Sequence, residues 1–206
     1  MADDRKPSWR LNDAAIIAAE NPYTFYKPSA DAIALLRPDN LVKLIFAFDS
    51  DDPAATAAER MWVKIARLEG DRFHGVLDNG PRHIFDLKCG DPVEFAACHI
   101  IDTDIDDPHP DPTARYWPRC YVTKRVLDGG DRVGYLYREQ PDSKDDSGWR
   151  IMAGDETDEY MDDPKNISYV SLGAVLKQDD SFRDLLDTPA PCAYARDAGT
   201  GRFIAE

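Results

Sequence analysis

Between Asp102 and Thr113 the chain places five aspartates and three prolines in twelve residues. Proline fixes φ and donates no backbone hydrogen bond, and closely spaced acids stay in water. Neither a core helix nor a central strand can run through such a segment. It reads as an exposed acidic, proline-rich linker, residues 104–115, between two small domains at 1–103 and 116–206. Each half is long enough for a core of its own. Hydrophobic residues make up 43% and charged residues 31%, a balance that belongs to folded rather than disordered chains.

After a polar arm, the first half predicts two helices and then strands. Asn12 or Asp13 can cap Ala14–Glu20, which Asn21-Pro22 stops, and Ser29 can cap a helix through Leu36 that ends before Pro38. Leu41–Phe48 is an apolar strand. Met61–Leu68 and Arg72–Leu77 alternate with period two around Glu69-Gly70-Asp71, a hairpin signal. Asp78-Asn79-Gly80-Pro81 is a second turn, and Leu87–Phe95 reads as turn and strand. Several short strands with such turns imply a bent antiparallel sheet or small barrel.

In the second half, Cys120–Val126 and Arg132–Glu139 read as a hairpin, with Gly129-Gly130-Asp131 as its turn. Trp149–Ala153 is a third strand. Asp155–Asp163 can form an acidic helical turn closed by Pro164, and Ile167–Val170 a strand. Ser171 and Asp180 can cap two short helices, and Cys192–Arg196 returns to the sheet. The fold class is α+β, the second domain an antiparallel sheet with short helices.

The net charge is -14, and residues 1–117 and 118–206 carry -8 and -6, so the acidity is no tail. Binding phosphate backbones needs Lys and Arg, which argues against nucleic acid and against anionic membrane surfaces. A basic protein partner fits instead, because opposite fields speed encounter. The N-terminus has no apolar signal region, and no window is long enough to span a bilayer. Cys89, Cys98, Cys120 and Cys192 form no C-x-x-C pair and no zinc spacing, so free thiols in the cytoplasm are the simplest reading. No cofactor and no metal are required by any motif. Nothing in the sequence signals oligomeric state.

One stretch is specific enough to suggest a family. Val133-Gly134-Tyr135-Leu136-Tyr137-Arg138-Glu139 is followed by Asp146-Ser147-Gly148-Trp149-Arg150, then Ala153-Gly154-Asp155-Glu156, Tyr160-Met161-Asp162 and Asn166-Ile167. With these marks, Cys120 to Arg196 resembles a bacterial domain-of-unknown-function family also assigned as immunity proteins of polymorphic toxin systems. Asp39 to Asp102 resembles a second uncharacterised bacterial family. Its marks are Glu59-Arg60-Met61-Trp62-Val63-Lys64, Gly75-Val76-Leu77-Asp78-Asn79 and Gly90-Asp91-Pro92-Val93-Glu94-Phe95. Neither resemblance supplies a catalytic residue. The first implies a protein that binds and occludes a toxin.

The candidate contact surface is the acidic-aromatic run. From Asp142 to Asp163 there are nine acids against Lys144 and Arg150. Trp149, Asp155, Glu156, Asp158, Glu159 and Tyr160 are the candidate partner-binding residues, acids for orientation and aromatics as anchors. The alternative is that Trp149 and Tyr160 are core and the acids a solvated face. Asp102, Asp104 and Asp106 have the opening spacing of a calcium loop, but Asp107 and Thr113 replace its glycine and glutamate. His74, His83, His99 and His109 are scattered, and no P-loop, G-x-S-x-G or H-E-x-x-H occurs. The sequence reads as a non-catalytic protein-binding module, and the resemblance implies an immunity protein that neutralises a toxin by occlusion with its acidic patch. The rival is a small-molecule-binding protein or metal-dependent enzyme using carboxylates near Asp155.

Overall fold

Apolar residues at nearly every position make Leu41–Phe48 the strand around which the first sheet is built. The computed structural model describes residues 7–49 and 57–206; the polar arm before Pro7 lies outside the described residues. The chain divides into two units, one comprising the chain through Glu20 and Phe25–Asp111, the other Asn21–Thr24 and Pro112–Glu206. Among the described residues no helix is long and apolar enough to cross a membrane.

In the first unit the strands are β1 (Trp9–Leu11), β2 (Leu41–Phe48), β3 (Ala58–Glu69), β4 (Arg72–Leu77), β5 (Pro92–Ala96) and β6 (Ile100–Thr103). They pair in the order β1-β2-β3-β4-β5, and β6 returns to β2, so the antiparallel sheet is a nearly closed barrel. The predicted hairpin is present, with Glu69 opposite Arg72 and Gly70 at positive φ in the turn. A bulge between Ile65 and Arg67 bends the sheet. Period two decides what fills the barrel: Met61, Val63 and Ile65 are buried, and Phe46, Leu77, Phe95 and Ile100 complete the interior. The helices are α1 (Ala14–Glu20), capped by Asp13, and α2 (Ala30–Leu35), capped by Ser29, whose Oγ accepts from Ala32 N–H.

In the second unit a six-stranded sheet carries α3 (Lys124–Leu127), α4 (Asp158–Met161) and α5 (Leu172–Leu176). Its strands are β7 (Arg119–Thr123), β8 (Tyr135–Arg138), β9 (Asp146–Met152), β10 (Ile167–Ser171), β11 (Cys192–Arg196) and β12 (Phe203–Ala205), in the order β10-β7-β9-β8-β11-β12. The α+β class holds, and the sheet is mixed, because β7 and β9 run parallel.

That pair overturns the expected hairpin. β7 does not turn back into β8; it enters α3, and Gly129-Gly130-Asp131 ends that helix. The N–H groups of Asp128 and Gly129 donate to the Lys124 carbonyl, that of Asp131 to the Arg125 carbonyl, and Gly130 takes positive φ. This is the geometry in which glycine stops a helix. β8 then pairs with β9 and β11. Ser171 caps α5 as expected, whereas the segment after Asp180 makes only a 3-10 turn at Arg183–Leu185.

One face of this sheet is the core. Cys120, Val122, Leu136, Trp149 and Ile151 point to it and pack with Val175, Leu176 and Phe182. Gly134 keeps β8 close to β9 there, because a Cβ would fall on the backbone of Ala153. The short segment Asn21–Thr24 joins this unit: Tyr23 meets Tyr116 edge-on, and its hydroxyl donates to Asp180 at 2.6 Å.

Candidate functional site

Successive strand residues point to opposite faces, so the core face fixes what stands on the other. Two rows cross that open face of the second sheet. Register places Tyr169 on β10 opposite Tyr121 on β7, Tyr121 opposite Arg150 on β9, Arg150 opposite Tyr137 on β8, and Tyr137 opposite Ala193 on β11. In the second row Ile167 faces Thr123, and Met152 faces Tyr135, which faces Ala195. Tyr121 and Tyr169 lie with ring centroids 4.7 Å apart. The Arg119 guanidinium covers Tyr169 and that of Arg150 covers Tyr121, each at 4.8 Å from the ring centre. Between the rows is a cleft of ≈ 190 Å³, walled by Tyr121, Tyr137, Arg150, Met152, Met161 and Ile167.

Arg150 is the hub of this face and it is fully committed. Its Nε donates to Glu139 at 2.7 Å, Nη1 to Asp146 and the Trp149 carbonyl, and Nη2 to Asp146 and Asp142. A guanidinium has five N–H donors, and five contacts account for them. Three carboxylates outnumber its one charge. The Arg150 hydrogen bonds hold the Asp146 carboxyl down to about 2, against the upward push of burial. The same partner raises the Arg150 pKa beyond its ordinary value. The cleft therefore offers tyrosine, methionine and isoleucine side chains, and its one cation, Arg150, has no donor left for an anion.

The sequence-predicted contact residues divide. Trp149 is completely buried in the core, with Arg138 over its ring, so it leaves the proposed contact surface. It sits beside the acids in sequence, but strand alternation turns it to the other face. Asp155 is exposed and paired with Arg125 at 2.7 Å. Glu156 is a structural clamp: it accepts from the Thr123 hydroxyl and from the N–H groups of Ala153 and Gly154. Burial pushes its carboxyl up, and these donors outweigh burial and bring it below the ordinary value. Asp158 and Glu159 are exposed in the first turn of α4, whose N-cap is Thr157. Tyr160 is half-buried, with Asn166 donating to its carbonyl. Asp155 through Tyr160 thus share one turn at the rim of the open face, where Met161 enters the cleft.

Sequence reasoning missed Tyr121, Tyr135, Tyr137, Tyr169 and the full role of Arg150. The local signal was Tyr135-Leu136-Tyr137, two tyrosines flanking a core leucine; the rest needed strand order.

Other candidates resolve into structure. Burial pushes the Cys120 thiol up to about 12, and burial with Asp13 nearby raises Cys98, so neither is a poised nucleophile. Asp102 pairs with Lys43 at 2.7 Å. In the acidic linker, Asp107 accepts from the Tyr26 hydroxyl, the N–H and Oγ of Ser29, and His109 N–H. Among the described residues no three His, Cys, Asp or Glu side chains gather in a metal-holding group.

No curated protein and no solved structure matches this chain. Residues 13–106 match the family described as an uncharacterized protein conserved in bacteria, DUF2314. Residues 120–205, which contain the tyrosine–arginine rows, match the immunity protein Imm33 domain.

Proposed function

We propose that this protein acts by binding, as an immunity-type partner that occludes a basic toxin in the cytoplasm without turnover. The observation that carries the reading is the open tyrosine–arginine face lying inside the segment that matches an immunity domain. Tyr, Arg and Met are the residues enriched at protein interfaces. The exposed rim acids Asp158 and Glu159 supply the field that steers a basic partner, with Asp155 held beside them by Arg125. The contact surface is thus moved from the acidic turn alone to the whole face, with Trp149 excluded and Glu156 supporting the rim.

Affinity capture from native lysate at low and high salt tests the proposal. A basic protein at near-stoichiometric level, released by salt, is the expected result. Truncating Tyr121→Ala weakens capture about tenfold or more, and Asp158→Lys with Glu159→Lys weakens it further. Unchanged capture by both variants removes this face from the mechanism.

A further inference from the structure

The row Tyr169–Tyr121–Arg150–Tyr137 is bulky at every position until β11, where it meets Ala193. β11 alternates Cys192, Tyr194 and Arg196 with Ala193 and Ala195, and Cys192 and Tyr194 pack on the core. The two alanines therefore stand on the open face. Beyond them is Glu206, whose N–H donates to the Ala193 carbonyl at 3.1 Å. A small residue between Tyr137 and Glu206 leaves a hollow with Ala193 on its floor. It measures ≈ 510 Å³ and is walled by Tyr135, Tyr137, Glu139, Pro191, Cys192 and Glu206, with Arg138 also on its lining.

The lining carries two carboxylates, Glu139 and Glu206, against one cation, Arg138. Two tyrosine rings stand 6.1 Å apart. Glu139 gives one oxygen to Arg150 and keeps 49% of its side chain exposed. Glu206 is exposed. The single cation on the wall, Arg138, donates to the carbonyls of Ser147, Leu186 and Thr188 and lies over the Trp149 ring. Aromatic faces with carboxylates attract a cation, and aromatic walls take up the aliphatic stem behind it. On this same face the rings of Tyr121 and Tyr169 already hold guanidinium groups of their own chain.

We infer that the Tyr135–Tyr137–Glu139–Glu206 hollow receives an arginine or lysine side chain of the protein partner. The inference rests on the binding reading above and names how the partner is read. The occupant is fixed by charge: the walls offer acids and ring faces and a chain of net charge -14 around them.

The test uses the full chain and a tetra-arginine peptide, followed by calorimetry and by the ring resonances of Tyr135 and Tyr137. Expected are shifts confined to these rings and their neighbours. Ala193→Leu, which fills the floor without changing charge, and Tyr137→Leu each weaken binding about tenfold. Tyr137→Phe, which keeps the ring face, does not. Asp128→Asn with Asp184→Asn, which removes acids beside the elements that pack on the core face of the unit, leaves the affinity within about twofold. Equal affinity in Ala193→Leu and Tyr137→Leu, or an equal loss in the distant acid variant, shows diffuse attraction to an acidic surface and overturns the inference. A captured toxin that responds to Asp158→Lys and Glu159→Lys but not to Ala193→Leu keeps the binding reading and removes the hollow from it. Tetra-arginine bound in the hollow with no toxin captured does the reverse.

Discussion

At the scale of single residues, Arg150 explains why a run of acids is a poor guide to a binding surface. Of the nine acids between Asp142 and Asp163, Asp142 and Asp146 are bound to Arg150, Asp155 to Arg125, and Glu156 to the backbone around Gly154. The composition of the patch was legible in the sequence; its internal pairing was not, because pairing depends on where β9 lies. Trp149 shows the same limit: its neighbours in sequence face away from it. The Asp146–Arg150 pair makes a pH prediction. The Asp146 carboxyl is depressed to about 2, so its stabilisation is present above the unfolded value near 4 and is lost as pH falls from about 4 toward 2. Urea unfolding at pH 6 and pH 3 measures it. Asp146→Asn takes the charged partner from two of the five Arg150 contacts and leaves Glu139 and Asp142 as counter-charges; it costs about 1.5–3 kcal/mol at neutral pH and flattens the dependence in that window.

At the scale of elements, the parts set by neighbouring residues were legible. The β3–β4 hairpin, α1, α2 and the Ser171 cap of α5 form where period, turn residues and capping side chains predict them. The failure is where two glycines and an aspartate were read as a hairpin turn. The same residues suit a helix end, and only the distant choice of β9 as the parallel partner of β7 decides between them. The open face was illegible for this reason: its four tyrosines come from three different strands and its arginine from a fourth. α4 offers an element-scale prediction. Its cap is Thr157, whose Oγ1 accepts from Tyr160 N–H at 3.2 Å. Thr157→Ala costs that helix about 0.5–2 kcal/mol, and faster amide exchange at Tyr160 reads it. Exchange unchanged there would mean that the clamp at Glu156 alone holds the turn.

For the whole molecule, the chain divides into two compact units, and the division falls between Asp111 and Pro112, inside the proline-rich segment. What composition could not show is that Asn21–Thr24 belongs with the second. Tyr23 reaches Asp180 and Tyr116, Lys177 donates to Asn21 at 2.8 Å, and a Cβ on Gly173 would strike the Tyr23 carbonyl. Tyr23→Leu removes the ring contact and a hydrogen bond to a carboxylate, and lowers the stability of the second unit by about 1–3 kcal/mol. Residue-resolved melting by NMR reads it as earlier loss of the Leu172–Leu176 amides, with those of Leu41–Phe48 unmoved. The four-residue loan also bears on how such chains can be rearranged. A gene segment that begins after the acidic run encodes the matched immunity domain and leaves a piece of its packing behind. Recombination that trades one C-terminal half for another therefore loses these contacts unless the incoming half accepts the resident Tyr23.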